Sequence, residues 1–147
     1  MIARDREIAW SAPMIGSWPL SWTSFLQPAG ANAEDARMPQ TFIEEPVNSR
    51  RTRFILTYLD GFRWRMGSAI AAAQAYDTMA RSWPPLCTRP APRMGRKLRA
   101  ALENLQAYIH GVVSTYQHPF SAGDHEAITT DMVVMGEVRK GPYSVRA

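Results

Sequence analysis

The 147-residue chain contains a single cysteine, Cys87, and no apolar run near the length of a membrane span. One cysteine excludes an internal disulfide, and a reducing compartment is the simplest expectation. A spanning helix needs roughly 20 apolar residues. The apolar segment near the N-terminus is interrupted by Pro13, Gly16 and Pro19, which is atypical of a signal peptide. These absences predict a protein of the cytoplasm, or of an assembly formed there, without a membrane partner.

Known catalytic and cofactor motifs are also missing from the sequence. There is no GxSxG, P-loop, GxGxxG, HExxH or paired-cysteine pattern. The three histidines, His110, His118 and His125, show no spacing that pairs a base with a nucleophile. The segment 123–126 beside His118 offers oxygen and nitrogen ligands, but in no recognised metal-binding spacing. We therefore expect a non-enzymatic protein with no cofactor and no metal.

Lysine is scarce as well, because Lys97 and Lys140 are the only lysines among 17 basic residues. Residues 49–103 carry eleven bases against three acids, whereas the flanking regions are mildly acidic. Arginine suits bidentate pairing with phosphate or carboxylate, and the second cluster begins a predicted helix, where backbone amides also favour anions. The clusters predict a nucleic-acid or anion-binding surface, although we favour a solvated arginine face. Their members are Arg50, Arg51, Arg53, Arg63 and Arg65, and then Arg93, Arg96, Lys97 and Arg99.

The stretch 52–83 carries the strongest structural pattern. Its first eight residues are rich in β-branched and aromatic types, Asp60-Gly61 suits a tight turn, and residues 62–66 alternate between apolar and arginine. This pattern predicts a β-hairpin whose aromatic residues Phe62 and Trp64 face the core. A long helix remains the alternative, because apolar residues also recur at steps of three and four.

Two helices are predicted after the hairpin. Ser68 is placed to cap the first, Ser68–Trp83, which would expose Asp77. Apolar residues at steps of three and four predict the second, from about Arg93 to Gln117. Short strands are expected within 132–135 and 143–145, and a further edge strand at 41–43.

The first 46 residues lack periodicity but are rich in large aromatic side chains. Each such side chain buries about 150–250 Å² when packed, and leaving several in water invites aggregation. Aromatic segments interrupted by proline are typical of arms that become ordered on binding. We therefore predict that an extended arm docks on a neighbouring subunit through Trp10, Trp18, Trp22 and Phe25.

Together these patterns predict an α+β fold: a β-hairpin, two antiparallel helices and a short C-terminal β segment, with a long extended N-terminal arm. A mainly α helical hairpin with extended arms is the alternative. The predicted division is an arm at 1–46 and a small domain at 47–147. The expected function is a structural or adaptor subunit of a homo- or hetero-oligomeric protein assembly, such as a virion or machine component. The alternative is a basic nucleic-acid-binding protein.

Overall fold

The computed structural model describes residues 12–79, 95–106, 108–139 and 144–146. Helices and strands are mixed within them, and the strands form two small antiparallel sheets, which confirms the predicted α+β class in its coarse form. Chain contacts divide the protein into two compact units, Met1–Ala72 with Val133–Ala147, and Ala73–Met132. The predicted division at residue 46 stays a prediction.

The elements follow one another in a simple order along the described residues. The helices are α1 (Thr23–Ala29), α2 (Ser49–Phe62), α3 (Ala69–Met79) and α4 (Gly95–Glu103). The strands are β1 (Arg37–Gln40), β2 (Ile109–His110), β3 (Thr115–Tyr116), β4 (Val134–Arg139) and β5 (Ser144–Arg146). Short 3-10 turns are formed by Trp18–Ser21, Gly30–Ala33 and Thr130–Met132.

The first unit contains a sheet in the order β1-β4-β5, with antiparallel neighbours. Arg37 lies opposite Glu137, and their side chains form an ion pair at 3.1 Å. Ile15 adds a parallel bridge on the other side of Arg37. The two predicted C-terminal strands are therefore present. The predicted edge strand at 41–43 is wrong, because these residues form no strand and β1 already ends at Gln40. A buried cluster of Leu26, Ala33, Ala36, Met38 and Val138 forms the core.

The predicted hairpin over 52–66 is wrong, because this region is helical from Ser49 to Phe62. The side chain of Asn48 accepts a hydrogen bond from the Arg51 amide at 2.9 Å and caps the helix N-terminus. Phe54 and Ile55 bury one face, and Phe42 meets Phe54 edge-on with ring centroids 5.7 Å apart. Burial of this face and the cap together outweigh the roughly 1 kcal/mol that a glycine costs inside a helix.

The helix also overturns the predicted positions of two aromatic side chains. Arg63 adopts the left-handed conformation, with φ of 56°, and ends α2. Phe62 is 63% exposed and Trp64 is 78% exposed, although the hairpin pattern placed both in the core. Residues 62–66 cover the end of a helix and the loop after it. Their alternation in sequence therefore does not correspond to the two faces of a strand.

Helix α3 begins where the sequence predicts, because Ser68 Oγ accepts from the Ala71 amide at 3.2 Å. The prediction for Asp77 is wrong, since this residue is only 4% exposed. Its carboxylate accepts the amides of Val112 and Val113 at 2.6 and 3.0 Å and the Tyr116 hydroxyl at 2.9 Å. All four residues belong to the second unit, and we call this group the Asp77 cluster.

The second predicted helix is shorter than expected and ends at Glu103 instead of Gln117. Strands β2 and β3 pair where its last turns were predicted. The Gly111 amide donates to the Ser114 carbonyl at 2.8 Å and closes a tight turn between them. In a helix the next two amides would bond to carbonyls four residues back, whereas here they bond to Asp77. A tertiary contact therefore decides the local structure.

Candidate functional site

Two parallel chain segments of the first unit end at the same edge of the sheet. The Gly16 amide donates to the Arg37 carbonyl at 3.0 Å, and the Arg37 amide donates to the Met14 carbonyl at 2.9 Å. The segments therefore run in the same direction, and residues 16–18 and 40–42 follow their carboxyl ends. In α/β folds, ligands bind beyond the carboxyl ends of parallel strands. This edge is the candidate functional site.

Trp18 and Gln40 connect the two segments at this edge. Gln40 is 2% exposed, and its side-chain amide Nε2 approaches the Trp18 carbonyl oxygen at 3.4 Å. Ser21 Oγ donates to the same carbonyl at 2.7 Å, which tightens the 3-10 turn. The Trp18 backbone is thus fixed from two sides, while its side chain remains 44% exposed. A fixed backbone that carries an exposed indole suits the binding of an apolar surface.

Trp22 supplies a hydrogen-bond donor beside it. The Trp18 and Trp22 rings meet edge-on, with centroids 5.3 Å apart and planes 73° apart. The indole Nε1 of Trp22 is buried and has no hydrogen-bond acceptor among the described residues. Buried indole N–H groups normally find an acceptor, and an orphaned buried donor costs about 1–3 kcal/mol. Trp22 therefore holds an unused donor beneath the surface, in a ring that contacts the exposed ring of Trp18.

The predicted arm residues lie only partly where the sequence suggested. Trp10 lies outside the described residues. Phe25 is half-buried and packs on the core cluster of its own unit, as Leu20 does. Trp18 and Trp22 contact each other within their own chain, whereas the sequence analysis assigned both to a surface that docks on a neighbouring subunit. Sequence reasoning missed Gln40, because a polar residue followed by Thr41 and the apolar pair Phe42-Ile43 carries no distinctive signal.

The first arginine cluster is spread over α2 and the loop after it. Arg50, Arg53, Arg63 and Arg65 are exposed, while the guanidinium of Arg51 lies 4.9 Å from the centre of the Phe42 ring. The strand face that was to align Arg63 and Arg65 does not exist, because the hairpin is a helix. Anion binding by these arginines stays a prediction.

The second arginine cluster belongs to the other unit. Arg93 and the Lys97 side chain lie outside the described residues, and Arg96 is exposed on α4. Arg99 Nε pairs with Glu103 Oε1 at 2.6 Å, and His125 Nε2 lies 3.1 Å from the same oxygen. The hydrogen bond from Arg99, followed by the one from His125, lowers the pKa of Glu103 below its ordinary value. Arg99 is thus part of an ion-paired group.

The described residues form neither a metal site nor a membrane span. No group of three or more histidine, cysteine, aspartate or glutamate side chains is arranged to hold a metal ion in the part of the chain that the structure describes. Within the same residues, every helix is too short or too polar to cross a bilayer.

Solved structures share this fold, although no protein-family model and no curated protein matches the chain. A type 1 periplasmic binding protein from Bordetella pertussis Tohama I superposes with a TM-score of 0.73 at 18% identity. A solute-binding protein of an ABC transporter from Rhodopseudomonas palustris, in complex with benzoate, gives 0.69 at 14% identity. A putative branched-chain amino acid ABC transporter from Rhodospirillum rubrum gives 0.63 at 23% identity.

Coverage is asymmetric in all three comparisons. Each includes 99% of this chain but only 40 or 41% of the other protein. The chain therefore spans about two-fifths of the length of these neighbours. At such low identities the likeness is one of fold.

These neighbours contradict three expectations drawn from the sequence. They are periplasmic or extracellular receptors, not cytoplasmic proteins. They serve ligand binding and transport, so the expected description as a structural assembly protein is wrong. The ligands named for them are small molecules instead of oligomer subunits or nucleic acids, which overturns both predicted partner classes. The predicted adaptor role itself has not been tested.

Proposed function

We propose that this chain is a small-molecule-binding receptor domain. Its ligand is a small carboxylate with an apolar body, bound at the sheet edge that carries Trp18, Trp22 and Gln40. The observation that carries the proposal is the buried Trp22 Nε1, which has no hydrogen-bond acceptor among the described residues and belongs to the ring that meets the exposed ring of Trp18. In protein interiors such a donor is normally satisfied, and a ligand oxygen would satisfy it here.

The chemistry of the site favours this ligand class. The exposed face of Trp18 offers a large apolar surface, and apolar burial contributes about 25 cal/mol per Å². Small-molecule sites are mostly apolar with a few polar groups that fix the ligand's orientation. The Trp22 N–H provides one such polar group. A carboxylate is the favoured acceptor for it, because a hydrogen bond to a charged oxygen is stronger than one to a neutral oxygen. Gln40 holds the Trp18 backbone and so acts as a positioning residue.

The neighbours support the same class. One was solved with benzoate, and another is described as a putative branched-chain amino acid transporter. Both named ligand types combine a carboxylate with an apolar body. By analogy, we propose a periplasmic or extracellular location for this chain.

Calorimetric titration of the 147-residue chain with benzoate, leucine, isoleucine and valine tests the proposal. We expect saturable binding of at least one of these compounds. Trp18→Ala should weaken it about tenfold or more, because the ring supplies the main apolar contact. Trp64→Ala is the matched control, since Trp64 is 78% exposed and distant in sequence from the site.

Two results would overturn the proposal. One is the absence of saturable binding for all four compounds at millimolar concentration. The other is equal weakening by Trp18→Ala and Trp64→Ala, because that would disconnect binding from the sheet edge.

A further inference from the structure

A cavity of about 340 Å³ lies within the second unit, and none of its lining residues belongs to the sheet edge described above. One wall is the face of α4 from Gly95 to Glu103, and the other is formed by Phe120 and His125. Its volume falls within the usual range of small-molecule pockets, which begins at about 300 Å³. The proposed function makes no use of it.

The cavity has an apolar side. Leu98 and Leu102 are four residues apart on α4 and therefore project from the same face of the helix. Phe120 completes this wall. Leu98 lines the cavity and is 37% exposed, although the helix that carries it is otherwise rich in charged residues. An apolar ligand group would remove this surface from water.

The other side of the cavity is charged, and contacts between its side chains hold the Arg99 guanidinium in place. Arg99 Nε donates to Glu103 Oε1 at 2.6 Å, and Arg99 Nη2 lies 3.3 Å from His125 Nε2. The hydrogen bond to Glu103 occupies the edge of the guanidinium that carries Nε. Arg99 Nη1 makes no hydrogen bond to any residue that the structure describes. The end that bears Nη1 and Nη2 can therefore take a carboxylate in the two-bond geometry that suits arginine.

The surrounding charge also favours an anion. Arg96 lies three residues before Arg99 on α4, and the two side chains are therefore neighbours on the helix surface. Gly95, in the first turn of this nine-residue helix, lines the cavity, and the positive end of the helix dipole lies there. Glu103 balances only one of the two arginines and holds Arg99 in position.

We propose that this cavity is a second binding site, which takes an amphipathic carboxylate with an apolar body. The carboxylate binds the free end of the Arg99 guanidinium, and the apolar body lies against Leu98, Leu102 and Phe120. The site is independent of the proposed function, because none of its residues belongs to the sheet edge.

Octanoate is the probe that tests this site, measured by calorimetric titration of the full chain. We expect saturable binding that is at least tenfold tighter than that of acetate, which lacks the apolar body, and of octanol, which lacks the charge. Arg99→Gln should weaken octanoate binding about tenfold or more. Arg53→Gln, an exposed arginine of α2, is the matched control and should leave it unchanged.

A second variant keeps the test decisive if Arg99→Gln does not fold, as judged by circular dichroism. Leu98→Asn changes a partly exposed position on the apolar wall and should weaken octanoate several-fold. Binding that depends on Arg99 or Leu98 but not on Trp18 supports the second site. Three results overturn it: no saturable octanoate binding, equal binding by the folded Arg99→Gln or Leu98→Asn chain, or loss caused by Trp18→Ala instead.

Discussion

The Asp77 carboxylate and the Trp22 indole N–H are both buried polar groups, but they differ in whether the described residues satisfy their hydrogen bonds. Asp77 accepts two amides and a hydroxyl. Trp22 Nε1 is buried with no acceptor among the described residues. A satisfied polar group in the interior fixes the local fold, whereas an unsatisfied donor costs free energy unless something outside the chain pairs with it. The Asp77 cluster is accordingly structural, and Trp22 is a candidate for binding.

The largest effect is expected from Gly111→Ala, which would break the Asp77 cluster. A Cβ at this position would overlap the Asp77 carboxylate. Overpacking of this kind costs about 3 kcal/mol. Chemical denaturation should show that loss in the free energy of unfolding. Gly123→Ala is the control, because its Cβ would meet nothing within 4 Å; equal losses in the two variants would contradict the account.

Asp77→Asn should have the next largest effect. The amide keeps one acceptor oxygen but turns an NH₂ group toward the Val113 amide and the Tyr116 hydroxyl, both within 3.0 Å of the present oxygen. Leaving such buried groups unpaired should cost about 2 kcal/mol. The control Asp131→Asn changes an exposed residue and should stay within about 0.5 kcal/mol. An Asp77→Asn chain as stable as the control would show that the cluster is not structural.

Tyr116→Phe removes one hydrogen bond and should cost about 1 kcal/mol at neutral pH. Burial raises the pKa of Tyr116, and the neighbouring Asp77 raises it further. In the unfolded chain a tyrosine ionises near pH 10. The stabilisation is therefore complete below about pH 10 and is lost as the pH rises above that value.

Unfolding measured from pH 8 to 11 checks the sign of this dependence. The wild-type chain should lose stability above about pH 10, and Tyr116→Phe should lose less. Tyr108→Phe, which changes a tyrosine that is 59% exposed, should follow the wild type. A Tyr116→Phe chain with an unchanged alkaline slope would rule out this cause.

Trp22→Phe should have the smallest effect on stability, within about 1 kcal/mol. Removal of the orphaned N–H relieves a cost, while the smaller ring leaves a cavity that offsets it. Ligand affinity should nevertheless fall about tenfold, measured with whichever compound of the calorimetric panel binds. A large stability loss without a change in affinity would make Trp22 a structural residue like Asp77. Trp64→Phe is the control for both measurements.

The same comparison shows why the sequence predicts some parts of the protein and not others. Short sequence patterns predict an element where no distant residue competes for its backbone hydrogen bonds. Ser68 caps α3, and the two C-terminal strands form near the predicted positions. They fail for β2 and β3, because the bonds from Asp77 to amides 35 and 36 residues away cannot be read from local periodicity.

The hairpin error has a different physical cause. Asp60-Gly61 resembles a turn and the following residues alternate, but Asn48 already caps a helix that runs through Asp60 and Gly61 and ends at Phe62. Glycine at a solvent-exposed helix position costs little compared with burial of Phe54 and Ile55. At the candidate site, the aromatic content of the sequence singles out Trp18 and Trp22, and their role in binding stays a prediction. Gln40 is not singled out, because its role depends on a parallel pairing between distant segments.

The most direct test of the proposed ligand site is a proton–nitrogen correlation spectrum of the indole N–H groups during titration with benzoate or leucine. The chain has five tryptophans, and the signals of Trp22 and Trp64 can be assigned from the Trp22→Phe and Trp64→Phe variants. The account predicts that the Trp22 Nε1 proton shifts downfield in a saturable manner, while the Trp64 signal stays in place. A Trp22 signal that does not move at saturating ligand would contradict it.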